Sequence, residues 1–158
     1  MLTVLIHRAD DPAALAQTLT PLVAGAVEGV LRDVAVLDAE NEDVRRVADH
    51  AGCRLAATGE TMAGAAGLRG EWVLLVRAGE RLPEDWIERV LRHAGGRGAA
   101  GAGAVRLPEP RAGVLDRLMP RRRGAVLVSR AALAAASRGG DIDALLRALR
   151  PRRMRPGR

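Results

Sequence analysis

A chain of 158 residues suits one domain with a real core. Its net charge of +6 rests on arginine alone, since all 25 basic residues are Arg and none is Lys. The single cysteine, Cys53, excludes an internal disulfide, histidines at 7, 50 and 93 give no zinc-type spacing, and no apolar run approaches the roughly 20 residues of a membrane span.

Leu2-Thr3-Val4-Leu5-Ile6 opens the chain as a short apolar, partly β-branched run, the pattern of a buried strand. With a strand at the start there is no leader pattern, and a cytoplasmic protein is expected. Asp11-Pro12 then starts a helix, with Asp as cap and Pro in the first turn, and Leu15, Leu19, Leu22 and Val23 as its apolar face. Pro21 is expected to kink or restart it. A second strand follows at Val34-Ala35-Val36-Leu37, then a helix capped by Asn41 and ended by Gly52. Cys53 to Ala57 reads as a weak third strand, and Thr61 to Leu68 as a short helix. The strand Trp72–Val76 leads through Pro83 into a helix carrying Trp86, Ile87, Val90 and Leu91. The glycine-rich stretch 95–103 has no assignable pattern. Gly124–Val128 reads as a later strand, Ala131–Ala136 as a helix, and Asp141–Leu149 as a final helix with Ile142, Leu145, Leu146 and Leu149 on one face.

Strands alternating with helices at this spacing predict an α/β fold with a mostly parallel sheet and helices on both faces. Residues 1–149 form the expected single domain. Residues 150–158, with five Arg and two Pro, are expected to be a disordered tail.

Charge is unevenly placed. Residues 1–76 hold 6 Arg against 11 acidic residues, and residues 77–158 hold 19 Arg against 8. A basic second half suits phosphates or an anionic surface, and the tail suits the surface of an anionic membrane, with the protein peripheral to it. Nucleic acid is disfavoured, because Trp86 is the one aromatic in the basic half and stacking needs more.

In parallel α/β sheets, ligands bind beyond the carboxyl ends of the strands. Asp10 and Asp11 follow the first strand, Asp38, Glu40, Glu42 and Asp43 the second, and Asp141 and Asp143 open the last helix. Asp11 and Asp141 are equally placed to cap helices. His7 and Trp86 read first as packing residues.

Several of these segments, taken in order, resemble the family-2 glycosyltransferases, which have the three-layer, Rossmann-like GT-A fold. LTVLIHRADDPAALAQTL is similar to the opening strand, loop and helix. DVAVLDAENEDVRRVADHAG resembles the second strand with its Asp-rich loop, and GLRGEWVLLVRAGERLPEDW the fourth strand, the Asp-x-Asp element and a Pro-led helix. RRRGAVLVSRAAL resembles a later strand with an Arg-rich turn, and GGDIDALLRAL the segment that supplies the base. The resemblance implies a nucleotide-sugar donor, Asp38 on the nucleotide's base or ribose, Asp10 and Asp11 in the same loop region, and Asp141 as the base of an inverting transfer. It departs from the family at the metal motif. Arg77-Ala78-Gly79 stands where Asp-x-Asp would hold a divalent ion, and Gly140 stands before the base in place of Glu. No metal cofactor is therefore expected. Arg77, with Arg81 and Arg121, Arg122 and Arg123, offers guanidinium in place of the ion. Two readings stay open: a nucleotide-sugar-dependent transferase, and a non-catalytic GT-A-like module that binds a partner protein or an anionic membrane.

Overall fold

The structure is a computed structural model that describes residues 1–96, 103–108, 110, 124–137 and 141–154. Arg121, Arg122, Arg123 and Gly140 lie outside the described residues.

Strand β1 (Leu2–His7) is buried at all six positions, as a continuous apolar run in a central parallel strand requires. Asp11 caps helix α1 (Pro12–Leu19), its carboxylate accepting from the amides of Ala13 and Ala14. The helix stops before Pro21, and α2 (Leu22–Val27) restarts with a new phase. That break leaves Val23 61% exposed, so it does not share the apolar face with Leu15 and Leu22. Next come β2 (Leu31–Leu37), α3 (Glu42–His50) with the Asn41 cap, and β3 (Arg54–Ala56). The helix expected from Thr61 to Leu68 is instead two pieces, α4 (Thr58–Ala63) and a 3₁₀ turn at Ala65–Gly67, divided at Gly64. Strand β4 (Trp72–Arg77), helix α5 (Trp86–Gly95), β5 (Val105–Arg106), β6 (Val126–Ser129), α6 (Arg130–Ala136), α7 (Ile142–Leu149) and β7 (Arg152–Arg153) complete the order.

Among the described residues the sheet runs β3-β2-β1-β4-β6-β5-β7. The first four strands are mutually parallel, β6 is antiparallel to both β4 and β5, and β7 is parallel to β5. Side chains alternate between two cores, as the strand period of two dictates. Leu2, Val4, Ile6, Val36, Leu74 and Leu127 face α1, α2, α3 and α5, where Trp86 is 2% exposed and donates its indole N–H to the carbonyl of Pro21. Leu5, Ala35, Leu37, Val73, Leu75 and Val126 face α4, α6 and α7 through Met62, Leu133 and Leu145. This is the three-layer GT-A, Rossmann-like arrangement.

The expectation of a tail disordered from residue 150 needs correction. Arg152 donates its amide to the Ala104 carbonyl, Met154 donates to Arg106, and Met154 packs against the core, so β5 gains an edge partner. Residues 155–158 lie outside the described residues. No helix among the described residues is long and apolar enough to cross a membrane.

Candidate functional site

The parallel strands β1, β2 and β4 bring their carboxyl ends to one edge. His7 and Arg77 are register partners there, so their side chains leave the sheet on the same face, toward α4, α6 and α7. Arg8 follows with φ 53, Asp38 follows β2 with φ 51, and Arg150 ends α7 with φ 44. These are the three described non-glycine residues in the left-handed region, a conformation that costs free energy and concentrates where a backbone must turn for a purpose.

Asp38 turns its carboxylate onto the start of α4. One oxygen accepts from the Thr58 amide at 2.8 Å and the other from the Thr58 hydroxyl. Its backbone N–H donates to Ala56. Asp10 is exposed, and its carbonyl accepts from the Asn41 side chain, which ties the loop after β1 to the loop after β2. Asp11 has its carboxylate on two amides of α1, as a cap.

The loop after β4 is a tight turn held by Glu80. One Glu80 oxygen accepts from the Arg77 amide at 3.0 Å and the other from the Gly124 amide at 3.0 Å, which pins β4's end to β6. Gly79 donates to the Thr18 hydroxyl and the Ala14 carbonyl, pinning the same turn to α1. The Arg77 side chain is exposed. Arg81 meets Gln17 on α1, whose amide, oriented to satisfy both groups, accepts from it at 2.8 Å. Arg77 thus faces the edge and Arg81 does not. Among the described residues no three of His, Cys, Asp and Glu are grouped to hold a metal ion, and the one carboxylate of this turn is engaged with backbone amides.

Asp141 caps α7, accepting from the amides of Asp143 and Ala144, with the Arg147 guanidinium 3.7 Å away. Asp143 pairs with Arg8, which joins the end of β1 to the start of α7. Asp143 also lines a cleft of about 690 Å³ with Arg106, Leu146, Arg147, Arg150 and Pro151. Among the described residues, three guanidiniums and one carboxylate line this cleft, with Arg147 also paired to Asp141. The structure therefore gathers His7, Arg8, Arg77, Asp141 and Asp143 toward one edge, while the Asp11, Asp38 and Asp141 carboxylates each hold local structure.

Sequence reasoning passed over Arg8, Glu80 and the cleft arginines. Position was the available signal for Arg8, which directly follows a buried strand. Nothing local marks Glu80, because its partners are 3 and 44 residues away.

His7 is 7% exposed, and its Nδ1 is sealed from solvent without a partner. Burial, the Arg8 charge and the Arg77 charge outweigh Asp143 and lower its pKa from 6.5 to about 4. Burial likewise lowers His93, which packs edge-on against Trp72.

Neither a protein-family model nor a curated protein matches the sequence. Solved structures do match. Glucosyl-3-phosphoglycerate synthase from Mycobacterium tuberculosis, in complex with uridine diphosphate, aligns with a TM-score of 0.62 at 15% identity over 100% of this chain and 72% of that one. Its complex with Mn²⁺, uridine diphosphate and glucosyl-3-phosphoglycerate aligns with a TM-score of 0.60 at 16% identity over 83% of this chain and 57% of that one. The complex with Mn²⁺, UDP-glucose and phosphoglyceric acid gives 0.61 at 15% identity over 83% and 57%. At such identity the likeness establishes a shared fold, and in most of these alignments this chain spans less than two thirds of the enzyme's length.

Proposed function

We propose that this chain binds a nucleoside-diphosphate sugar along the carboxyl ends of β1, β2 and β4 and passes the sugar to an anionic acceptor held in the arginine-lined cleft beside α7. The observation that carries this reading is the convergence of Arg8, Arg77 and the cleft residues Arg147 and Arg150 on the edge where α/β sheets take ligands. The ordered sequence resemblance to family-2 glycosyltransferases supports the same donor class. Binding of UDP, UDP-glucose and phosphoglyceric acid by the similarly folded synthase supports both halves of the reading.

The chemistry needs charge stabilisation on the departing diphosphate and a carboxylate to take the acceptor's proton. Arg77 serves the first need without a metal, since the turn after β4 has no free carboxylate to bind one. A guanidinium keeps its charge at any relevant pH and can give two hydrogen bonds to a phosphate. Asp141 serves the second by its place at the start of α7. Asp143, which lines the cleft, is the rival for that role. Asp10 and Asp38 border the nucleotide half, Asp38 as the residue that fixes the loop.

Titration of UDP-glucose in EDTA tests the donor site. Wild type binds, and Arg77→Ala weakens binding about tenfold, the loss of one charged hydrogen bond, with an unchanged melting temperature. Binding that requires Mn²⁺ or ignores Arg77 would contradict the reading. Separate Asp141→Asn and Asp143→Asn variants, assayed for glucose transfer to phosphoglycerate, assign the base to the one whose loss abolishes turnover. The replaced Asp-x-Asp favours a second reading, a module that binds nucleotide sugar without catalysis. Tight binding with no transfer and no hydrolysis would select it.

A further inference from the structure

Among the described residues His7 is the one titratable side chain in the fully buried class, beside four threonines. Packing explains each threonine: Thr3, for example, accepts from the Gly70 amide, and Thr18 from Gly79. His93 also has a sealed nitrogen without a partner, Nε2, but it stacks edge-on against Trp72 at the amino end of β4, away from the sheet's carboxyl edge. His7 has no such partner. An imidazole left without a hydrogen bond at the carboxyl end of a central strand calls for a reason, since burying a polar atom without a partner is unfavourable.

The groups around it supply one. Arg8 directly follows it at the end of β1, Arg77 is its register partner on β4, and Asp143 reaches the same point from α7. Among the described residues the local charge is two guanidiniums against one carboxylate. Arg8 and Asp143 are each about half exposed, so their pair is weak and open to exchange for a stronger anion. Nδ1 of His7 is sealed, and Nε2 is not among the sealed atoms, so Nε2 is the nitrogen left to meet a ligand.

We propose that His7, Arg8 and Arg77 form a proton-coupled anion site, in which a dianion held by the two guanidiniums is met by a protonated His7 that donates a hydrogen bond from Nε2. The proton comes from solvent and stays on the ring while the anion is bound. In the free protein burial, with the two neighbouring cations, keeps the ring neutral at pH 7. A bound dianion cancels the guanidinium field, adds negative charge, and gives the ring an acceptor. Each of these favours the imidazolium. Binding and protonation are then linked, and the anion binds more tightly as pH falls.

This inference takes from the donor-site reading only the place of the diphosphate, and two probes keep the two apart. UDP-glucose and inorganic sulfate both hold two negative charges between pH 5.5 and 7.5, so neither titrates in the window. Calorimetric titration at three pH values, in buffers of different ionisation enthalpy, should show proton uptake on binding and an affinity that rises by up to about tenfold per pH unit. His7→Gln should bind with no uptake and a flat pH profile. Affinity that ignores pH, or uptake that persists in His7→Gln, overturns the inference. Sulfate binding with this behaviour but no UDP-glucose binding sustains the anion site and defeats the donor reading. Failure of both probes to bind overturns the site. Should His7→Gln not fold, the ring proton resonance of His7 in wild type, assigned with His50→Gln and His93→Gln, decides the matter. Its titration midpoint moves up on adding sulfate if the site exists, and an unmoved midpoint overturns it.

Discussion

The carboxylates and the cations at the sheet's carboxyl edge are used differently. After β2 both oxygens of Asp38 are taken by Thr58, and after β4 both oxygens of Glu80 are taken by the amides of Arg77 and Gly124. At the end of β1, by contrast, Arg8 shares a half-exposed pair with Asp143 and the His7 ring has no hydrogen-bond partner, and at the end of β4 Arg77 turns its side chain to solvent. The loops are built by their acids, and the surface they present is basic. An acidic residue whose oxygens already accept from its neighbours has less capacity left for a ligand.

The largest effect expected on the cationic side is in pH dependence. Folding lowers the His7 pKa from 6.5 to about 4. The unfolded chain therefore takes up a proton first as pH falls, and stability present above pH 6.5 is lost until pH reaches about 4, where both states are protonated. The loss is roughly 3 kcal/mol. Urea denaturation of wild type and His7→Gln across this range should show the difference between them shrinking by that amount. Parallel pH profiles would mean that neither burial nor the neighbouring cations depress the ring's pKa.

On the acidic side, Glu80→Ala leaves the Arg77 and Gly124 amides without their acceptor and should cost about 2 kcal/mol. A urea midpoint within error of wild type would show that water replaces the carboxylate and that the turn holds itself. Asp38 gives the smallest effect and the sharpest control. Asp38→Ala loses two hydrogen bonds and keeps a left-handed backbone, for a cost of about 1.5 kcal/mol. Asp38→Asn can keep both bonds and tolerates that backbone, so its melting temperature should stay near wild type. Equal losses in the two variants would point to the charge itself, and so to a role beyond holding α4.

The alternation of strands and helices was legible because local patterns encode it: a continuous apolar run at β1, Asp11-Pro12 at α1, Asn41 at α3, Asp141 at α7. The restart at Pro21 was legible too, but not the change of face that leaves Val23 exposed. Strands β5 and β7 are two residues each and carry no period to read. They exist because β6 and then β5 offer an edge to pair with, and this is why the arginines at 152 and 153 join the sheet rather than a loose tail.

The sequence by itself determined the α/β class, the parallel first half and the basic second half, all of which depend on residue type and near spacing. The tertiary structure decided which charges remain available. Asp38 meets Thr58 across 20 residues, Glu80 meets Gly124 across 44, and Arg8 meets Asp143 across 135. Hydrogen bonds form between groups brought within about 3 Å, and at such separations along the chain that proximity comes from the packing of the sheet.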